Sequence, residues 1–145
     1  MPRVRVALPE RFLYSTDIQV RIDDINYGGH LGNDAVLRLI HEARLRFFAH
    51  LGYTELNIHG CGILIADAAI EYRAQSFYGD ILRIDLGLSD IGRKGCDLVY
   101  QLINRQNDTE VARIKTGIVF FDYESQRVVR IPQAFLALCG LAGDS

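Results

Sequence analysis

Polar and apolar residues alternate over Asp17, Ile18, Gln19, Val20, Arg21 and Ile22, which is the period of a half-buried strand and predicts one over 16–23. Tyr27, Gly28, Gly29 and Gly32 then break regular structure. From Asp34 to Leu51 the apolar period becomes helical. Val36, Leu37, Ile40, Ala43, Phe47 and Leu51 share one face, with Phe48 at its edge, while Arg38, Glu42 and Arg46 lie opposite at i,i+4 spacing. Each such ion pair is worth only about 0.3–0.5 kcal/mol, so these charges mainly keep a face solvated. Asn33 is placed as N-cap and Gly52 as the residue that ends the helix. Arg44 projects near the apolar stripe, either as a stem reaching a partner carboxylate or as a substrate contact; the former is the simpler reading.

The remaining pattern is strand-rich. Val4, Val6 and Leu8 alternate, but Pro2 and Pro9 limit residues 1–15 to an edge strand or a poorly ordered segment. Residues 63–73 form the most apolar strand: Leu64, Ala66, Ala68, Ile70 and Tyr72 are expected to cover the helix, with Ile63, Ile65, Asp67, Ala69, Glu71 and Arg73 on the other face. Strands follow over 81–91, 96–104 and 111–123, with a short extension at 128–131, joined by links such as Gly92–Gly95. Pro132 is expected to open a last helix as its first residue, with Gly140 closing it. Short links make neighbouring strands antiparallel. The expected architecture is one α+β domain over 1–145, with its core at about 16–132. An antiparallel sheet of about five or six strands wraps one long helix, and a second copy of the chain is the simplest cover for its other face.

Composition narrows the function. The 145 residues are 49% hydrophobic and 23% charged, with a formal net charge of -2 and no basic segment, which argues against nucleic acid as a partner. No apolar run approaches the ~20 residues of a membrane span, and the N-terminal Val/Leu run is too short for a secretory signal. Cys61, Cys96 and Cys139 have no metal-like spacing and read as reduced thiols of a cytoplasmic protein. The scattered His41, His50 and His59 form no metal set with them.

The chemistry gathers where the first strand feeds the long helix through small residues. Glycines let a ligand approach the backbone, and free amides of a first helical turn favour a carbonyl or an anion. The run Arg21-Ile-Asp-Asp-Ile-Asn-Tyr-Gly-Gly-His-Leu-Gly-Asn-Asp, continuing to Glu42-Ala-Arg44, resembles the signature of hotdog-fold acyl-CoA thioesterases of the 4-hydroxybenzoyl-CoA thioesterase type. Tyr78-Gly-Asp80 and Phe121-Asp-Tyr up to Ile131-Pro132 extend the resemblance from about Thr16 to Pro132. It implies a hotdog fold, a homodimer or homotetramer with sites between subunits, and hydrolysis of an acyl-CoA or acyl-carrier thioester. No cofactor is implied beyond the coenzyme A of the substrate. In that pattern the catalytic carboxylate stands three residues before the Gly of Gly-His, a position held here by Asn26. An amide cannot serve as nucleophile or base, though it can hydrogen-bond a water or the thioester oxygen.

The resemblance places the polarising amides near Gly32 and Asn33, with Asp24, Tyr27, Gly28 and Gly29 contributing to the substrate site. Four carboxylates are weighed in place of the missing one. Asp67, between apolar neighbours in mid-strand, is the first choice, because partial desolvation would raise its pKa; it could equally be bonded within the sheet or to Arg44. Asp24 reads as structural, Glu71 as paired with Arg73, and Glu42 as a solvated or structural partner. His30 either donates to the thioester oxygen or positions water beside Asn26, or else only caps the turn. Arg93 and Lys94 could meet coenzyme A phosphates or simply be solvated, and Cys61 lacks a base to activate it. The expectation is an acyl-CoA thioesterase using Asn26, His30 and Asp67. The alternative, favoured by Asn26, is a hotdog protein that binds an acyl thioester without cleaving it.

Overall fold

The computed structural model describes residues 3–141. The first strand, β1 (Tyr14–Gln19), is followed by a single 3-10 turn at Ile22–Asp24 and by the long helix α1 (Ala35–His50). Then come β2 (Gly62–Tyr72), β3 (Ile81–Ser89), β4 (Gly95–Asn104), β5 (Thr109–Asp122), β6 (Arg127–Val129) and α2 (Gln133–Leu138). All pairs are antiparallel and the sheet order is β1-β3-β4-β5-β2, with β6 on β5. This is the expected sheet around one long helix. None of the described helices is long and apolar enough to cross a membrane.

The first strand stops four residues before its expected end at Asp23. The buried Asp24 carboxylate accepts the Arg21 amide at 2.8 Å and curls the chain into the 3-10 turn. At the start of α1, Asp34 and not Asn33 holds the cap position, without a side-chain cap bond. The C-terminus obeys the sequence: Gly52 has φ +88°, the Gly52 amide donates to Ala49 O and the Tyr53 amide to Phe48 O, a Schellman closure. The buried stripe of α1 runs through Val36, Leu39, Ile40, Ala43, Phe47 and Phe48, with Leu39 inside and Leu37 out in solvent, the reverse of the expected placement of Leu37. Pro132 sits at the N-cap of α2, one residue earlier than expected, and Gly140 closes that helix with φ +71°.

The core lies between α1 and the inner face of β3–β5, where Leu82, Ile84, Leu86, Leu98, Tyr100, Leu102, Ile114, Ile118 and Phe120 are fully buried. Phe135 of α2 stacks against Phe48 and Phe120 and plugs the core where α1 ends. On β2 the expected face changes midway. Ile65 pairs with Ile118 but Asp67 pairs with Gly117, so Ala66 is a β-bulge. Before the bulge Ile63 and Ile65 share the face of Ile118 and Phe120; after it Ala68, Ile70 and Tyr72 do. Strict alternation therefore mis-sides Leu64 and Ala66, because one extra residue inverts parity.

Residues 4–13, expected as an edge strand or a poorly ordered segment, instead cross the outer face of the sheet. The Val6 amide donates to Glu71 Oε1 at 3.0 Å and the Leu13 amide to Leu86 O. Gly87 is required beneath them, because a Cβ there would lie 2.7 Å from Arg11 O and from the Pro9 ring. The chain thus covers part of the face that had been assigned to a second copy. Met1 and Pro2 of that segment lie outside the described residues.

Candidate active site

Residues 25–31 form a small loop closed by an Ile25–Leu31 bridge. The Asn26 amide donates to His30 O at 2.9 Å, the Gly29 amide to Asn26 O at 3.0 Å, and the Gly28 amide to Asn26 Oδ1 at 2.9 Å. Asn26 therefore spends its side-chain oxygen on an Asx turn, and Gly29 supplies the positive φ of +83° that the turn needs. Tyr27, Gly28 and Gly29 form the tip of this loop, with the Tyr27 side chain wholly in solvent. At the loop's base the Leu31 amide donates to Ser76 O at 2.7 Å, which ties it to the segment after β2.

His30 is half-buried and its Nδ1 lies 3.2 Å from Leu31 O. A carbonyl only accepts, so Nδ1 carries the hydrogen in this contact and the neutral ring keeps its lone pair on Nε2. His30 is thus set up as an acceptor rather than as a donor to a carbonyl oxygen. Nε2 and Asn26 Oδ1 face the same spot, each 3.3 Å from where a Cβ on Gly28 would be.

The helix start departs from expectation at one amide. Gly32 N donates to Asp24 O at 2.9 Å and is not available to a ligand. Among the described residues the amides of Asn33 and Asp34 make no hydrogen bond outside the helix, and both are left to meet an oxygen. A Cβ on Gly32 would lie 2.8 Å from Asp34 Oδ1, the end of an exposed side chain. That close approach brings the Asp34 carboxylate, which the sequence suggested only as a complement to the helix dipole, beside the site. Tyr72 donates its hydroxyl to Asn33 O at 3.0 Å. Burial, and then the Asp34 charge, push its phenol above the ordinary value, so it stays a donor at neutral pH.

These residues border a cleft of about 300 Å³. His30, Leu31, Asn33 and Val36 form one wall; Tyr72, Arg73, Gln75 and Ser76 form the other, with Val111 between. The second wall was not identified from the sequence. Its signal was the Tyr78-Gly-Asp80 triplet: Asp80 Oδ2 accepts from Ser76 Oγ, Phe77 N and Asn104 Nδ2 at 2.8–3.0 Å, and Gly79 turns at φ +85°. Apolar side chains, two unspent amides and an imidazole lone pair suit an acyl group with a polarisable carbonyl.

Asp67 is elsewhere in the chain. It lies on the outer face, about 17 Å along the strand from Tyr72. It is exposed, and its Oδ1 accepts from Lys115 Nζ at 2.8 Å and Gly117 N at 3.0 Å. The Lys115 hydrogen bond holds its carboxyl below the ordinary carboxylate range, the opposite of the rise expected from desolvation. Asp24 is buried beneath the loop, bonded to the Arg21 amide, and does not line the cleft. Glu71 is paired with Arg73, and Glu42 with Arg46, as the sequence suggested. Arg93 and Lys94 fall at the opposite end of the sheet, on the order of 30 Å away.

Arg44 has a structural role. Buried at the sheet, it donates to Glu55 Oε1 at 3.0 Å and to the Tyr100 hydroxyl at 3.3 Å; Tyr100 in turn bonds Thr116 at 2.9 Å. All three cysteines are buried and free. Burial pushes the Cys61 thiol up, Cys139 to about 11 and Cys96 to about 12, so none is a thiolate at neutral pH.

Comparison with solved structures returns the same hotdog architecture. A 1,4-dihydroxy-2-naphthoyl-CoA thioesterase from Synechocystis superposes with a TM-score of 0.79 at 18% identity, covering 88% of this chain and 95% of that one. A gentisyl-coenzyme A thioesterase gives 0.74 at 19% identity, covering 84% and 98%. A DHNA-CoA thioesterase from Staphylococcus aureus gives 0.72 at 16%, covering 80% and 78%. Comparison with curated protein sequences finds no match. The family model for the thioesterase-like superfamily matches residues 20–138, from the end of the first strand through the last helix, and the chain belongs to that superfamily.

Proposed function

We propose that this protein hydrolyses the thioester of an acyl-CoA in the cleft at the start of α1. The observation that carries the reading is the unspent amide of Asn33, with that of Asp34 next to it in the chain, on a cleft that His30 also lines. The thioester carbonyl accepts from those amides, which stabilise the oxyanion as it develops. Water attacks the carbonyl carbon while Nε2 takes its proton, and that proton is returned to the departing thiol. Asn26 shapes the loop that holds His30, and the apolar wall of Leu31, Val36 and Val111 receives the acyl group. Two of the solved relatives are named for aromatic acyl groups, so hydroxyaryl thioesters belong in the assay beside short and long aliphatic ones.

A second copy of the chain fits the free edge of β2. That strand has eleven residues, lies at the sheet's border, and exposes Leu64 and Ile65 to 38% and 44%. A long apolar edge is a template for strand pairing, and its end at Tyr72 is a wall of the cleft, so a homodimer built there would complete the site. Asp67, on that strand, could approach a site only across such a pairing. Buried thiols without a disulfide fit a cytoplasmic setting.

Thiol release measured over a panel of acyl-CoAs tests the reading: turnover that His30→Gln abolishes supports it. The second reading, a binder that does not cleave, is favoured by the amide at Asn26. Turnover near zero in the natural protein that rises strongly in Asn26→Asp would establish it in place of the first.

A further inference from the structure

The cleft has a neighbour. A second cavity of about 390 Å³ lies against the end of β2, lined by Arg3, Val4 and Arg5 on one side and by Ile70, Glu71, Tyr72 and Arg73 on the other. Tyr72 and Arg73 line both cavities. The cavity that holds His30 and Asn33 is therefore separated by a shared wall from one that holds three arginines.

The charges in the second cavity do not cancel. Arg73 pairs with Glu71 and, at 2.6 Å, with Glu110, which also pairs with Arg113 at 2.8 Å. Two arginines and two glutamates form a balanced group. Arg3 and Arg5 have no acidic partner among the described residues and are exposed. They leave the cavity with two uncompensated positive charges.

Their placement follows from the chain after them. Val6 is buried, and its amide is tied to Glu71 Oε1 at 3.0 Å, so the crossing segment is anchored immediately after Arg5. Both arginines, with Val4 between them, line the cavity. Two guanidinium groups lining one cavity suit phosphate oxygens, which guanidinium groups bind through paired, charge-assisted hydrogen bonds.

We propose that Arg3 and Arg5, with the end of β2, cradle the nucleotide phosphates of the coenzyme A that carries the acyl group. The proposal rests on the acyl-CoA reading of the neighbouring cleft and deepens it, because it assigns the carrier as well as the bond. The crossing segment then has two tasks, covering the sheet and reading the carrier.

Calorimetric titration tests this without turnover. The probes are coenzyme A, coenzyme A lacking its 3′-phosphate, phosphopantetheine, pantetheine and inorganic pyrophosphate, each against the full chain and against R3S/R5S. Coenzyme A is expected to bind at least about tenfold more tightly than pantetheine, an advantage that falls as salt rises and disappears in R3S/R5S. Equal affinity for coenzyme A and phosphopantetheine, or an unchanged affinity in R3S/R5S, would overturn the assignment. So would binding of pyrophosphate without binding of coenzyme A, which would mark a site for free phosphates. If the arginine-dependent preference is present but no acyl-CoA is cleaved, the cradle stands and only hydrolysis at the neighbouring cleft is lost.

Discussion

The Tyr72 hydroxyl donates a 3.0 Å hydrogen bond to the carbonyl of Asn33, joining the last residue of β2 to the turn that opens α1. This bond fixes the two walls of the cleft relative to each other. Tyr72→Phe is expected to cost about 0.5–1.5 kcal/mol of stability and to raise the KM for acyl-CoA while leaving the fold intact. Denaturant unfolding and steady-state kinetics together check both parts; an unchanged KM would separate Tyr72 from the substrate.

His30 offers its Nε2 because Leu31 O engages Nδ1. His30→Gln retains a hydrogen-bonding side chain without a basic nitrogen, and is expected to lower kcat by about 10²–10⁴-fold. Circular dichroism on the same sample verifies folding. A kcat within threefold of wild type, on the order of 1 kcal/mol or less in barrier, would remove His30 from the chemistry.

Asp67 and Lys115 give a pH-dependent signature. The bonded carboxyl titrates below its unfolded value of about 3.9, so its contribution to stability is present above that pH and is lost as pH falls through the lower folded value. Lys115→Met is expected to move the Asp67 titration upward towards 3.9, read by NMR on the side-chain carboxyl. A midpoint that stays put would mean that the pair does not form in solution.

Glu55 accepts from the buried Arg44. Glu55→Ala leaves the guanidinium with only the Tyr100 hydroxyl beneath the helix, and is expected to destabilise the protein by about 3 kcal/mol in urea unfolding. His41 Nε2, 3.3 Å from the same Glu55 oxygen, loses its partner as well. Retained stability would show that water reaches Arg44 readily.

The free edge of β2 makes a further prediction. Leu64→Lys combined with Ile65→Lys places two charges on the exposed strand without touching the buried core and is expected to convert an associated protein into monomers, read by sedimentation. Activity lost in step with association would place the partner's edge in the site. Unchanged sedimentation would exclude this edge as the interface.

The sequence by itself determined the element order and the helix. Period-2 and period-3.6 patterning place nearly every strand and α1, and Gly52 and Gly140 mark the helix ends, because these signals depend only on neighbours along the chain. The loop from Asn26 to Asn33 was legible, through its glycines, as the break between the first strand and the long helix. What only the tertiary structure decided depends on contacts distant in sequence. The Ala66 bulge, set by pairing with β5, inverts which residues of β2 face the helix. Lys115 and Gly117, about fifty residues beyond Asp67, turn a candidate base into an exposed, ion-paired carboxylate. Asp24 O removes the Gly32 amide, and the end of β2 brings Tyr72 to Asn33, so that hydrogen bonds between separate segments, and not local pattern, select which groups are left free to act.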